Sequence, residues 1–167
     1  EVKIAPDGEI LTKSACVMKG YYHKPAETQE ALKDGWFYTG DLGKIDADGF
    51  LSITGRKKEL IVTSGGKKVS PQPIEEAVSK EPLILRCVLF GEGMKFITAL
   101  VVPRREEIEA YANLQKIAYS SYEELLKDGK IYELIDLRVQ AATAHLASYE
   151  KIKYFALLPC DFSQESG

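Results

Sequence analysis

The chain has 167 residues, 45% hydrophobic and 28% charged, a composition typical of a soluble globular protein that can bury a core. Its net charge is -3, with 22 basic and 25 acidic residues, which argues against nucleic-acid binding by the molecule as a whole. The sequence shows no signal peptide, and no apolar run approaches the roughly 20 residues of a membrane-spanning helix.

Residues 1–55 predict a small, mostly β unit. Apolar and polar residues alternate over residues 1–20 around a turn at Pro6-Asp7-Gly8, which predicts a β-hairpin. Pro25 to Lys33 is typical of one short helix, with Thr28 as a candidate cap. The first residue is Glu1 rather than Met, and the opening residues resemble a strand within a domain, so we expect the chain to be a fragment.

A second hairpin is predicted where "WFYTGDLGKI" and "GFLSITG" flank Asp46-Ala47-Asp48-Gly49. This turn faintly resembles the start of a calcium-binding EF-hand loop. The later acidic ligands are missing, because Phe50, Leu51, Ser52 and Ile53 follow. We therefore predict a plain turn and no metal site.

The pattern changes after Gly55. Ser70 and Pro71 are typical of a helix start, and Pro82 is expected to end that helix. The runs "ILRCVLF" and "FITALVV" predict adjacent antiparallel strands. Arg104 to Tyr149 has helical periodicity, and "KYFALLP" predicts a final strand.

The predicted fold class is therefore α+β. Residues 1–55 form a β-rich piece, residues 56–58 a polar, exposed hinge, and residues 59–167 a small domain with a short sheet and helices.

The three cysteines are Cys16, Cys87 and Cys160, and they form no C-x-x-C pair. This spacing argues against a zinc site or a disulfide framework and is typical of a reducing compartment. We expect a cytoplasmic location.

Two basic clusters flank a short apolar segment. The first is Arg56-Lys57-Lys58, and the second, Lys67-Lys68, follows Gly65-Gly66. The second is not a P-loop, because Ile61 stands where the first glycine would be and no Ser or Thr follows Lys67.

Asp41, in "YTGDLG", follows a glycine that allows close backbone approach, and its carboxylate could bind the paired hydroxyls of a ribose. Arg56 offers a planar donor fork to ribose or phosphate. A hairpin would bring both residues to one ligand. The pattern also allows simpler interpretations, in which Asp41 only closes a turn and Lys57 and Lys58 are only solvated.

The stretch "DGWFYTGDLGKIDADGFLSITGRKKELIVTSGGKKVSPQPIE" resembles the adenylate-forming acyl-CoA synthetases, and most of all the long-chain fatty-acid-CoA ligases. The upstream "GEILTKSACVMKGYYHKPAET" resembles the preceding β-rich segment of the same family. The resemblance implies that Asp41 binds the ribose, that Arg56 contacts the nucleotide, and that Lys58 occupies the hinge position. It further implies that Gly65 and Gly66 line the pantetheine channel.

The resemblance also implies the chemistry. A fatty acid and ATP with Mg²⁺ form an acyl-adenylate and pyrophosphate, the small domain rotates, and the thiol of CoA attacks the adenylate. Nucleic acid is not an expected partner, and oligomeric state and peripheral membrane association stay open. Lys67, Lys68, Arg104 or Arg105 are candidates to contact the CoA phosphates.

Two features of the family are absent from the sequence. Its phosphate-binding loop and acyl pocket would precede Glu1, and its catalytic lysine would follow Gly167, so we expect the 167 residues alone to be inactive. Other interpretations remain: a ligase for another carboxylate, a fatty acyl-AMP ligase that uses a carrier protein, or a non-catalytic interaction module derived from the fold.

Overall fold

A computed structural model describes residues 1–162 of the chain. The backbone divides into two compact units, Glu1–Leu60 and Ile61–Gly167, and the division falls after the predicted hinge. Each unit has its own sheet and its own buried residues. None of the helices in the described residues is long and apolar enough to cross a membrane.

The first unit is an antiparallel sheet built around one long strand. Its elements are β1 (Val2–Ile4), β2 (Glu9–Thr12), α1 (Pro25–Ala31), β3 (Leu32–Lys33), β4 (Trp36–Ile45), β5 (Leu51–Arg56) and a 3₁₀ turn (Lys57–Glu59). Strand β4 pairs with β2, β3 and β5, and β1 pairs with β2. Ile10, Leu11 and Leu42 form its buried apolar centre.

Both predicted hairpins are present in the first unit. Asp46 caps the second turn, because its Oδ1 accepts hydrogen bonds from the backbone N–H of Asp48 and of Phe50 at 3.0 and 2.8 Å. Helix α1 begins at Pro25 as predicted, but the predictions of its cap and of its end were wrong. Lys24, not Thr28, occupies the N-cap position, and the helix ends at Ala31 because Leu32 and Lys33 pair with β4.

The second unit carries helices on a short mixed sheet. Its elements are β6 (Ile61–Val62), β7 (Lys68–Val69), α2 (Pro71–Ser79), β8 (Ile84–Phe90), β9 (Ile97–Pro103), α3 (Arg105–Gln115), α4 (Tyr122–Leu125), α5 (Gly129–Ala142) and β10 (Ile152–Leu157). Strand β9 lies between β8, which is antiparallel to it, and β10, which is parallel. A parallel neighbour requires a crossover, and α3–α5 supply it.

The core of this unit lies between the sheet and the helices. Its fully buried side chains include Val69, Val78, Ile84, Ile97, Val101, Ile108, Leu125, Ile131, Ile135 and Val139. Helix α2 begins at Pro71 as predicted but ends at Ser79, before Pro82. The predicted helical region after Arg104 is three helices rather than one continuous pattern, because α3 ends at Gln115 and the next residue, Lys116, is in a left-handed conformation.

Candidate functional site

Asp41 and Arg56 lie directly opposite each other on β4 and β5. The Arg56 Nε donates a hydrogen bond of 2.9 Å to the Asp41 Oδ1. This bond, and then the charge of Asp41, raise the pKa of the Arg56 guanidinium above its usual value. The Arg56 side chain is 59% exposed and the Asp41 side chain is 29% exposed, so a ligand can reach both residues. The structure therefore brings together the two residues that the sequence suggested for one ligand.

The backbone before Asp41 leaves the regular ladder. The register between β2 and β4 shifts between the pairs Glu9–Leu42 and Leu11–Tyr38, so β4 bulges at Thr39-Gly40-Asp41. Gly40 has φ +76°, a left-handed conformation that glycine adopts without strain. The Thr39 Oγ1 accepts from the Asp41 N–H at 3.0 Å and donates to the Ile10 carbonyl at 2.9 Å. A bulge of this kind re-aims a side chain, here the Asp41 carboxylate.

Sequence reasoning missed Glu9. This carboxylate is buried, with the residue 4% exposed. Its Oε1 accepts from the Gly40 N–H at 2.9 Å, and its Oε2 lies 2.8 Å from the Lys57 Nζ. The one sequence signal for it was an acidic residue directly before two apolar residues, Ile10 and Leu11, in a predicted strand.

The interpretation of Lys57 as a solvated side chain was wrong. Its Nζ lies 2.6 Å from the Asp7 Oδ2 as well as 2.8 Å from the Glu9 Oε2. The bonds to Asp7 and then to Glu9 raise the pKa of Lys57 well above its usual value. Lys57 is therefore tied to the first unit by two carboxylates.

Lys58 is exposed within the 3₁₀ turn Lys57–Glu59. It lines an open cleft of about 710 Å³ in the first unit, together with Thr39, Gly40 and residues of α1. The hinge candidate thus follows directly after the residue that Asp7 and Glu9 hold.

Gly65 and Gly66 form the turn between β6 and β7. The Gly66 N–H donates to the Thr63 carbonyl at 2.8 Å, and the Thr63 N–H donates to the Lys67 carbonyl at 2.9 Å. Gly66 has φ +73°, whereas Gly65 does not lie in the left-handed region. A Cβ at either position would meet no described atom within 4 Å, so packing within the unit does not demand glycine at Gly65.

A neighbouring loop holds this turn in place. The Glu92 Oε2 accepts from the Val62 N–H at 2.8 Å. The Gly93 N–H donates to the Val62 carbonyl, and the Ser64 N–H donates to the Met94 carbonyl, each at 2.9 Å. The glycine turn therefore has a fixed base and an open tip.

Lysines gather beside the glycine turn. The Lys67 Nζ lies 5.5 Å from the centre of the Tyr149 ring. Tyr149 lines a cleft of about 420 Å³ in the second unit, which is also lined by Lys95, Lys151 and Lys153. Asp136 is the acidic residue of this lining. Sequence reasoning missed these three lysines, because they are distant from Lys67 in the chain.

The other candidates for phosphate contacts differ in their surroundings. Lys68 is exposed on β7, and Arg104 is exposed at the N-cap of α3. Arg105 donates from Nε to the Glu109 Oε1 at 2.8 Å, and its guanidinium lies 4.9 Å from the Tyr122 ring centre. Arg105 therefore has partners within its own helical region.

No group of three or more His, Cys, Asp or Glu side chains in residues 1–162 lies close enough to hold a metal ion. Mg²⁺ commonly binds through substrate phosphates and one or two carboxylates. The described residues thus build no magnesium site of their own.

Comparison with known proteins identifies the family of the chain. Residues 58–161 match the model of the AMP-binding enzyme C-terminal domain. The long-chain-fatty-acid–CoA ligase FadD15 of Mycobacterium tuberculosis is 42% identical over 167 residues, which are 99% of this chain and 28% of that protein. The human long-chain-fatty-acid–CoA ligase ACSBG1 is 34% identical over 179 residues, 96% of this chain and 25% of that protein.

Solved structures share the fold. The adenylation domain of a carboxylate reductase from Mycobacterium chelonae superposes with a TM-score of 0.74 at 27% identity, covering 95% of this chain and 23% of that one. The O-succinylbenzoate coenzyme A synthetase of Bacillus subtilis, in complex with AMP, gives 0.66 at 25% identity, covering 99% and 31%. The chain thus spans about a quarter to a third of the proteins it resembles. Because the family match extends over residues 58–161, more than half of its length, the chain belongs to the AMP-binding enzymes and carries their C-terminal domain.

Proposed function

We propose that the chain is the nucleotide-binding and hinge-bearing part of an AMP-forming long-chain fatty-acid–CoA ligase. The protein would join a fatty acid to the AMP moiety of ATP with release of pyrophosphate, and then transfer the acyl group to the thiol of CoA with release of AMP. The observation that carries the proposal is the exposed Asp41–Arg56 pair, set on a strand bulge in a chain 42% identical to such a ligase.

The pair suits a nucleoside. The Asp41 Oδ1 receives the bond from Arg56, and its Oδ2 can accept hydrogen bonds from ribose hydroxyls. Arg56 uses Nε in that bond, and its guanidinium can donate to a ribose or phosphate oxygen. Both side chains would thereby fix the position of the nucleotide while the carboxylate of the fatty acid reacts.

The second unit suits a polyanionic acceptor. Gly65-Gly66 offers an open turn past which a narrow pantetheine arm can run, since no described atom beyond the adjoining residues lies within 4 Å of either Cβ position. Lys67 and the cleft of Lys95, Lys151 and Lys153 place positive charge beside that turn. This charge favours CoA, with its phosphates, as the acceptor.

Lys58 is the proposed pivot between the two half-reactions. It follows Lys57, which Asp7 and Glu9 hold, and it precedes the boundary at Leu60. A rotation that starts after Lys57 leaves the Asp41–Arg56 pair undisturbed. The same nucleotide site would then serve both adenylation and thioester formation.

Substitution of Asp41 tests the proposal in the intact protein. Hydrogen bonds to charged groups contribute about 1.5–3 kcal/mol, so we expect Asp41→Ala to raise the KM for ATP about 10- to 100-fold in fatty-acid-dependent ATP–pyrophosphate exchange. Asp161→Ala is the matched control, because it removes another exposed Arg–Asp pair, with Arg86 in the second unit. An unchanged KM for ATP in Asp41→Ala would contradict the proposal.

A further inference from the structure

The Asp41–Arg56 pair needs support from elsewhere in the first unit. Both side chains are partly exposed, and exposed ion pairs contribute only about 0–1 kcal/mol, too little to fix their own geometry. Asp41 also lies at a bulge, where the ladder between β2 and β4 is interrupted. Some other contact must define where the two residues point.

Glu9 makes that contact on both sides. Its Oε1 accepts from the N–H of Gly40, the residue before Asp41. Its Oε2 binds the Nζ of Lys57, the residue after Arg56. One buried carboxylate thus holds the chain next to each member of the pair, on β4 at Gly40 and just after β5 at Lys57.

The burial of Glu9 makes this link rigid. Its side chain is 5% exposed, whereas the Lys57 side chain is 45% exposed. A buried carboxylate is costly without partners, so its bonds to the Gly40 N–H and to Lys57 favour one fixed arrangement of the three groups. Asp7 adds a second bond to Lys57 from the surface.

We infer that Glu9 is a positioning residue for the nucleotide site. It holds the bulge at Gly40 and holds Lys57, the residue directly after β5, and so keeps Asp41 and Arg56 facing one ligand. Glu9 itself does not touch the nucleotide in this account. The inference rests on the proposed function, in which Asp41 and Arg56 bind the ribose of ATP.

Kinetics of the intact protein test the inference through Glu9→Ala and Glu9→Gln. Alanine removes both contacts, and we expect the KM for ATP to rise about tenfold while the KM for the fatty acid stays unchanged. Glutamine keeps an oxygen for the Gly40 N–H, and we expect it to bring the KM for ATP back to within about threefold of the original. A residue that serves only general stability would not separate the two substrates or show this rescue.

Asp46→Ala is the control for loss of stability in the first unit. It removes two bonds to backbone N–H groups at the turn between β4 and β5, away from Gly40 and Lys57. We expect it to lower the unfolding temperature and leave the KM for ATP unchanged. An equal rise of that KM in Asp46→Ala and Glu9→Ala would overturn the inference.

Lys57→Met keeps the test decisive if Glu9→Ala fails to fold. Lys57 is half exposed, so this variant is expected to fold, and its KM for ATP should rise about threefold. If the KM for ATP is unchanged in Lys57→Met or Glu9→Ala but raised in Asp41→Ala, the positioning role of Glu9 is overturned and the proposed function is not. An unchanged value in Asp41→Ala overturns the proposed function as well.

Discussion

At the scale of single residues, Gly65 and Gly66 occupy one turn for different physical reasons. Gly66 has φ +73°, where a residue with a Cβ is strained by about 1–2 kcal/mol. Gly65 has an ordinary backbone conformation and open space around it. The fold therefore does not require glycine at position 65, whereas the pantetheine arm of the proposed function would.

This difference predicts opposite outcomes for two alanine substitutions. We expect Gly66→Ala to lower the unfolding temperature of the second unit by several degrees. We expect Gly65→Ala to leave that temperature unchanged but to slow acyl transfer to CoA by about tenfold, because the new methyl group obstructs the pantetheine arm. Calorimetry and a single-turnover thioester assay measure the two effects. Normal CoA transfer in Gly65→Ala would contradict the assignment of this loop.

The sequence was sufficient to predict the placement of Asp41 and Arg56 on one hairpin, because the Asp48-Gly49 dipeptide marks a tight turn between two strand patterns. It was not sufficient to identify Glu9 or the partners of Lys57. Whether a carboxylate is buried depends on a strand bulge and on a contact between Glu9 and Lys57, 48 residues apart. The local sequence pattern shows neither this bulge nor this contact.

At the scale of elements, the 3₁₀ turn Lys57–Glu59 is the segment in which the proposed rotation begins. Proline at Lys58 would lock φ and restrict the preceding residue. We expect Lys58→Pro to slow thioester formation by about tenfold and adenylation by less than about threefold, because only the former requires the rotated arrangement. ATP–pyrophosphate exchange measures adenylation, and a thioester assay on the same preparation measures the second step.

Lys58→Ala is the matched control for that experiment. It removes the same charge but leaves the backbone free, so both half-reactions should stay close to their original rates. Equal losses of the two steps in Lys58→Pro would argue against a hinge at this position.

Helices and strands were predicted correctly where the hydrophobic periodicity agreed with the Gly, Pro and capping residues that bound each element. Strands β4 and β8 and the start of α2 lie where the pattern placed them. The prediction failed at the ends of elements where the end depends on contacts with a different part of the chain. Leu32 and Lys33 continue a helical pattern, yet their backbone pairs with β4, and this pairing overrides local preference. The stop of α3 at Lys116 likewise uses a left-handed non-glycine residue, which no composition rule anticipates.

At the scale of the whole molecule, the two units divide the proposed work. The first unit holds the Asp41–Arg56 pair, which we propose binds the nucleotide, and Glu9, which contacts the chain beside that pair. The second presents the glycine turn and the lysine cleft. The family could be recognised from sequence, because the motifs in residues 36–71 are closely spaced and specific. The lysine cleft could not be recognised, because Lys95 comes to line one cleft with Lys151 and Lys153, and Lys67 comes to lie beside Tyr149, only after the sheet has formed.

The central claim is that the protein containing this chain is an AMP-forming ligase of fatty acids. The direct measurement supplies the intact protein with ATP, a long-chain fatty acid and CoA, and identifies the nucleotide product by chromatography. We expect AMP, pyrophosphate and acyl-CoA in equal amounts, formed only when the fatty acid is present. Formation of ADP, or consumption of ATP that does not depend on the fatty acid, would contradict it.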